Sequence, residues 1–268
     1  MSDNLIETIE NGVATLTMNR PESRNAFTRD MVTDMLEALP RFAADRSVRC
    51  VVLTGAGGAF SAGGDVKSFA DKAGTEEAEG GYDFNLKVDE LRARMEVSRY
   101  LHEMPKPTLA VIPGPAAGAG LSLALACDMR IAVDTAKMTT AFSKVGLSGD
   151  FGGSYFLTNL VGAAKARELY FTGKVLSGAE ACDLGMVNKA VSEADLPAEA
   201  KAMAEQLASL PTVAVGFMKK NLNKALHSDL AEVLDWEAVH MMSTFDTSDH
   251  KGAAKAFVEK RAPIFKGL

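Results

Sequence analysis

Two segments of this 268-residue chain share one design: an apolar run that reads as a buried strand, a glycine-rich turn, and then a helix. The first is Val51-Val52-Leu53-Thr54-Gly55-Ala56-Gly57-Gly58-Ala59-Phe60-Ser61-Ala62-Gly63-Gly64-Asp65. The second is Val111-Ile112-Pro113-Gly114-Pro115-Ala116-Ala117-Gly118-Ala119-Gly120. A chain that twice runs from buried strand through small residues into helix is built for an α/β core, with strands covered by helices.

The flanking pattern agrees. Leu5 to Glu10 and Val13 to Asn19 alternate around Asn11-Gly12, a pair suited to the tight primed turn of a hairpin. Thr28 precedes an amphipathic helix ending near Pro40, and Val48 to Thr54 reads as a strand. Phe84, Val88, Leu91, Met95, Ser98 and His102 form a helical stripe stopped by Pro105 and Pro107. Strand Thr108 to Ile112, helix Gly118 to Cys127 and strand Met129 to Val133 follow. From about Leu196 the pattern changes to helix after helix, with Val215, Met218, Leu222 and Leu226 on one apolar face and Leu230, Leu234, Ala238 and Met241 on the next. The expected organisation is an α/β body over 1–195 and a helical region over 196–268 that covers the site or joins copies of the chain. Periodicity lapses from Asp71 to Asp83, which reads as a surface loop.

Composition removes several classes of function. With 47% hydrophobic and 24% charged residues the chain can bury a full core, and its net charge of −6 offers no basic stripe for nucleic acid. The longest apolar runs, such as Leu121 to Cys127, fall far short of the roughly 20 residues that span a bilayer, and the start of the chain lacks a basic leader. A cytoplasmic location is expected. Cys50, Cys127 and Cys182 lie apart in apolar stretches and read as reduced. His102, His227, His240 and His250 form no zinc-type spacing, so no metal is expected.

The glycine turns suggest dinucleotide binding at first. However, the third glycine of GxGxxG falls on Phe60, no acidic residue follows where a ribose needs one, and neither turn ends in GK[ST]. Small residues in such turns leave backbone N–H groups open to a ligand, and two converging amides make an oxyanion hole. Tight strand-to-helix packing accounts for the same glycines, and spacing alone does not separate the two readings.

Five segments, in order over nearly the whole chain, are similar to the enoyl-CoA hydratase/isomerase (crotonase) superfamily. They are Asn19-Arg20-Pro21 through Asn25-Ala26, Phe60-Ser61-Ala62-Gly63-Gly64-Asp65, Gly114 to Gly120 with Ala126-Cys127-Asp128, Gly146-Leu147 through Gly152-Gly153, and Phe257-Val258-Glu259-Lys260-Arg261. Each is weak alone and specific as a set. The resemblance implies a crotonase spiral of ββα units with a helical carboxy-terminal region for trimerisation, as a homotrimer or dimer of trimers. It implies an acyl-CoA thioester as substrate and no separate cofactor. It implies oxyanion amides at Gly64 and Ala119 and CoA contacts near Arg24, Ala26, Ala62 and Lys67, with Phe257 and Lys260 contributed by a neighbouring subunit.

The family's hydratases hold and deliver water with two glutamates. By the same alignment of motifs those positions here are Ser122 and Phe142, neither of which supplies a carboxylate base. An acid does stand in the next turn, Ser148-Gly149-Asp150-Phe151-Gly152-Gly153. It resembles the aspartate of phenylacetate-pathway enoyl-CoA isomerases and the nucleophile of chlorobenzoyl-CoA dehalogenase. As an isolated residue Asp150 reads as a helix cap; within the family frame it reads as the base. The expected reaction is a double-bond shift from 3-enoyl-CoA to 2-enoyl-CoA, with one aspartate moving the proton and an apolar wall including Phe142 excluding water. Ser122 and Tyr155 are expected to line the pocket. Hydration with rearranged acids, thioester hydrolysis, dehalogenation and a silent acyl-CoA-binding scaffold are the alternatives. Asp65 and Asp128 are expected to hold turns, His102 to be a packed boundary residue, and Glu237 to serve a surface or interface ion pair.

Overall fold

In a computed structural model of the chain, residues 2–65 and 83–268 are described. Lys67 and most of the expected acidic loop lie outside the described residues. The chain opens with the hairpin β1 (Leu5–Glu10) and β2 (Val13–Met18), paired antiparallel from Leu5 opposite Met18 to Glu10 opposite Val13. Asn11 and Gly12 both have positive φ, 51° and 79°, as a primed two-residue turn requires.

Helix α1 (Arg29–Ala44) begins at Thr28, whose hydroxyl accepts from Met31 N at 3.2 Å. It does not end near Pro40. Proline removes one internal hydrogen bond, but Phe42 beyond it is fully buried and Asp45 N closes on Arg41 O at 3.0 Å, so packing carries the helix through. Strand β3 (Cys50–Gly55) follows. The stripe from Phe84 to His102 is two helices, α2 (Phe84–Arg94) and α3 (Glu96–Glu103), divided at Met95. Only α3 buries its face, through Val97, Ser98 and Leu101, whereas Phe84 is 62% exposed.

Strand β4 (Thr108–Ile112) leads to the short β5 (Ala116–Ala117) and the wholly buried α4 (Ala119–Ala126). Then come β6 (Met129–Val133), β7 (Met138–Thr139), α5 (Gly153–Thr172), which is broken in two by the non-helical Gly162, α6 (Gly178–Asp183) and β8 (Lys189–Val191). The main sheet runs β1-β2-β3-β4-β6-β8 and is parallel after the hairpin, while β5 and β7 pair in a second, two-stranded sheet. An isolated bridge joins Ser61 to Ala116 beside that small sheet. Each turn of the chain thus adds a long strand to one layer and a short one to the other, which is a spiral of ββα units. Strand residues such as Leu16, Leu53 and Leu109 and helix residues such as Met35 and Leu123 are fully buried between the sheet and its crossover helices.

Four helices close the chain: α7 (Leu196–Ser209), α8 (Thr212–Ala225), α9 (Leu230–Phe245) and α10 (Ser248–Val258). Helix α7 buries Leu196, Ala200, Ala204 and Ala208 in the main core. Helix α8 is pinned by Lys219, whose ammonium donates to Leu101 O, Lys106 O and Asp128 Oδ2. Asp128 also accepts from the Thr108 amide and hydroxyl, so it ties β4, α4 and α8 together, as expected of a turn-holding acid.

Candidate active site

The two glycine turns meet. Asn25 is fully buried in a left-handed conformation, accepts from Arg20 N, and donates to Ala56 O and Ala59 O at 2.9 and 2.8 Å. Ser61 donates to Asn25 O and accepts from Gly63 N. These bonds fix the path of Ala62, Gly63 and Gly64. Gly63 has φ +82°, and a Cβ there would lie 2.6 Å from Ala117 O and 3.0 Å from Ala119 N. Only glycine lets this turn approach the start of α4. Gly118 precedes that helix with φ 52°, and the Ala119 amide is the first N–H of α4, one of those left without an intrahelical acceptor. Gly64 and Ala119 therefore stand on touching turns, with the positive end of the α4 dipole beside them.

Arg24, Ala26 and Ala62 are brought together at the rim of these turns, with Ala62 N donating to Arg24 O at 2.8 Å. Asp65 faces Arg20, Oδ2 to Nη1 at 3.8 Å. Phe257, 85% exposed, and Lys260 stand at the end of α10, outside this cluster.

Asp150 sits in a bend where Gly149, Phe151 and Gly152 all have positive φ, at 107°, 49° and 75°. A bulky residue such as Phe151 adopts that conformation only when its surroundings impose it, and such strain gathers at functional turns. Here the Phe151 ring packs edge-on against Phe27 at 5.5 Å and its carbonyl accepts from Ser98 Oγ at 2.7 Å. The Gly153 amide, at the start of α5, donates to Asp150 O.

Around the carboxyl gather Ser122, Phe142 and Tyr170. Ser122 is buried and donates to Gly118 O at 3.2 Å. Phe142 stacks on Tyr170 at 6.0 Å, and its ring lies 3.6 Å from where a Cβ on Gly118 would stand. Among the described residues, two buried side-chain polar atoms have no hydrogen-bond partner: Asp150 Oδ1 and Tyr170 Oη. Burial pushes the Asp150 carboxyl up to about 6, since an apolar surround disfavours its charge. Burial, then the nearby Asp150 charge, push the Tyr170 phenol up to about 12, against a smaller opposing pull from Ser122. Tyr170 carries no motif that singles it out in the sequence. Its signal is indirect: the glycines on either side of Asp150 make room for it.

Tyr155 lies elsewhere. It lines a cavity of about 690 Å³ together with Met95, His102, Phe156, His227 and Trp236, reaching Gly152 at one edge. Its hydroxyl bonds His227 Nε2 at 2.7 Å. His102 packs edge-on against Tyr155 and Phe156, and burial lowers its proton affinity, in keeping with a packed boundary histidine. Glu237 is exposed on α9. Among the described residues no cluster of His, Cys, Asp or Glu is placed to hold a metal ion, and no helix is long and apolar enough to cross a membrane.

Two touching amide turns at a helix start, beside a buried carboxyl, define a site that can stabilise an oxyanion and move a proton. The chain belongs to the enoyl-CoA hydratase/isomerase family, whose pattern it matches over residues 8–268. It is 36% identical to the 1,2-epoxyphenylacetyl-CoA isomerase of Escherichia coli, over the full length of both chains. It is 33% identical to the short-chain-enoyl-CoA hydratase of Clostridium acetobutylicum, covering 97% of this chain and 96% of that one. Among solved structures, one described as a putative enoyl-CoA hydratase/isomerase from Mycobacterium abscessus superposes with a TM-score of 0.90 at 32% identity, covering 98% of this chain and all of that one. The fold is the crotonase fold, and CoA thioesters are the family's substrates.

Proposed function

We propose that the chain is an acyl-CoA isomerase that moves a double bond from the 3- to the 2-position. The observation that carries this reading is the half-buried carboxyl of Asp150, whose Oδ1 is sealed from solvent without a hydrogen-bond partner, at a site where Ser122 and Phe142 stand in place of two carboxylates. The thioester oxygen binds the amides of Gly64 and Ala119, which stabilise the enolate formed when the adjacent carbon loses its proton. Asp150 takes that proton and returns it two carbons away. One base suffices because abstraction and delivery are successive steps on the same face. A carboxyl with proton affinity near pH 6 is a competent base at neutral pH, and Phe142 keeps bulk water from the enolate.

In this reading the CoA moiety lies against Arg24, Ala26, Ala62 and Lys67, and Ser122 lines the acyl path, which continues past Gly152 into the neighbouring cavity that Tyr155 lines. Phe257 and Lys260 reach a neighbouring subunit's CoA in a homotrimer or dimer of trimers built through α8–α10. The protein works in the cytoplasm.

The test follows the conjugated enoyl absorbance of purified protein with a 3-enoyl-CoA and, separately, with crotonyl-CoA. A rise with the first and no loss with the second is expected. Rapid loss of crotonyl-CoA absorbance would mean hydration, and no change in either would leave hydrolysis, dehalogenation or simple acyl-CoA binding.

A further inference from the structure

The phenol of Tyr170 has no role in the scheme above, yet the chain has shaped itself around it. A Cβ on Gly153 would lie 2.5 Å from Tyr170 Oη, and one on Gly149 would lie 3.0 Å from its ring and 3.5 Å from the hydroxyl. The two glycines that bracket Asp150 thus admit the tip of a side chain from the second half of α5, which the break at Gly162 (φ 76°, ψ 159°) turns back toward its start. The ring is clamped by its stack on Phe142.

What this brings together is a donor and an acceptor, each buried and each unpartnered. A polar group left buried and unsatisfied is unfavourable, and an aromatic ring without a hydroxyl would fill the same space without that penalty. Ser122 is the phenol's other polar neighbour: its hydroxyl donates to Gly118 O at 3.2 Å, and its pull on the phenol's proton affinity is smaller than the opposing effects of burial and of Asp150. The terminal torsion of an aspartate is broad, so Oδ1 can turn toward the phenol without leaving a favoured rotamer.

We infer that Tyr170 is the positioning residue of this site, donating its hydroxyl proton to Asp150 Oδ1 when that carboxyl is ionised and so fixing the carboxylate toward the substrate. The phenol keeps its proton throughout the working pH range, which makes it a standing donor and not a second base. Around Asp150, α4 presents Ser122, the turn after β7 presents Phe142, α3 presents Ser98 to the neighbouring carbonyl, and α5 presents Tyr170. Of these, Tyr170 alone is ionisable. A neutral donor to a carboxylate lowers its proton affinity, so the bond offsets part of the upward push from burial and keeps Asp150 usable as a base near pH 7.

The inference uses the assignment of Asp150 as base only for its kinetic arm, and the closing experiment separates the two. The carboxyl titration of Asp150 is followed by infrared difference spectroscopy, with Asp150→Asn as the blank, in wild type, in Tyr170→Phe and in protein carrying 3-fluorotyrosine at position 170. Tyr170→Phe keeps the ring and its stack. It is expected to raise the midpoint by about one unit, a tenfold change in proton affinity. The more acidic fluorophenol is a stronger donor and is expected to lower the midpoint. A role confined to packing would not move the two variants in opposite directions. The acid limb of kcat/KM should follow the spectroscopic midpoint, with kcat falling more than KM rises. An unchanged midpoint in Tyr170→Phe, or shifts of the same sign in both variants, overturns the inference. Opposite shifts in a protein that fails to turn over 3-enoyl-CoA would sustain it while removing the isomerase reading.

Discussion

The glycine turns of the body and the last three helices of the chain are opposite solutions to burial. Around Gly63 and Gly118 the turns are tied together from within the chain, and Asn25 and Ser61 alone take part in five hydrogen bonds there. In α8–α10 the apolar faces point outward: Leu222 is 70% exposed, Leu230 73% and Val239 64%. The body is finished in one chain, while the helices are patterned for something to cover them. Chemistry that needs sub-ångström placement resides in the first region, and apolar surface awaiting a partner resides in the second.

The sharpest way to break that contrast is at the carboxyl. Asp150→Asn is expected to lower isomerase turnover by about 10³-fold or more while leaving affinity for CoA nearly unchanged, which steady-state kinetics and calorimetry would check. Near-wild-type turnover would sink the assignment. The same variant has a stability signature. The folded-state affinity of Asp150 for its proton is raised, to about 6 from 3.8, so the ionised form is disfavoured by folding. Wild type therefore loses stability relative to the asparagine variant as pH rises through that window, and the difference levels off above it. Thermal melts at pH 4 and pH 8 should show the variant gaining on wild type at the higher pH.

A second, smaller effect is expected at Gly63→Ala. The added methyl meets Ala117 O at 2.6 Å in a backbone conformation that alanine resists, so the turn must move away from the Ala119 amide. Loss of one oxyanion donor lowers kcat by about 10²–10³-fold. A variant with wild-type kcat would show that the two turns serve packing alone.

Much of the body is legible in the amino-acid sequence. The hairpin, the strands β3, β4 and β6 and the buried α4 follow from runs whose apolar residues have nowhere to go but the core. Pro40 misleads because a local breaker is outweighed by the burial of Phe42. The stripe from Phe84 misleads because a periodic face says only that a helix can form, and α2 buries none of it within this chain. Within the site, Gly64, Ala119, Ser122, Phe142 and Asp150 can be located from short motifs because each lies at a turn or helix start. Tyr170 cannot, because its place beside Asp150 depends on the length and course of α5, and no local motif encodes a contact made twenty residues away. Tyr155 sits only three residues beyond Gly152 and faces the cavity beside that glycine and not the carboxyl, for the same reason: on a helix, nearness in sequence does not choose the face.

The mildest test concerns the helices. Apolar residues that are exposed in the single chain contribute little to its own stability, so Leu222→Ser and Leu230→Ser should each change the stability of the dissociated chain by no more than about 0.5 kcal/mol. Leu53→Ala, 1% exposed in the main core, should cost about 2–5 kcal/mol by comparison. If α8–α10 join copies of the chain, the two serine variants should instead shift the assembly toward monomer in sedimentation. CoA affinity should then weaken on dilution, as contacts from Phe257 and Lys260 are lost. Dissociation with unchanged CoA affinity would confine those two residues to assembly. A wild-type chain that is monomeric at every concentration would break the comparison itself, because the apolar faces would then be stable in water without a cover.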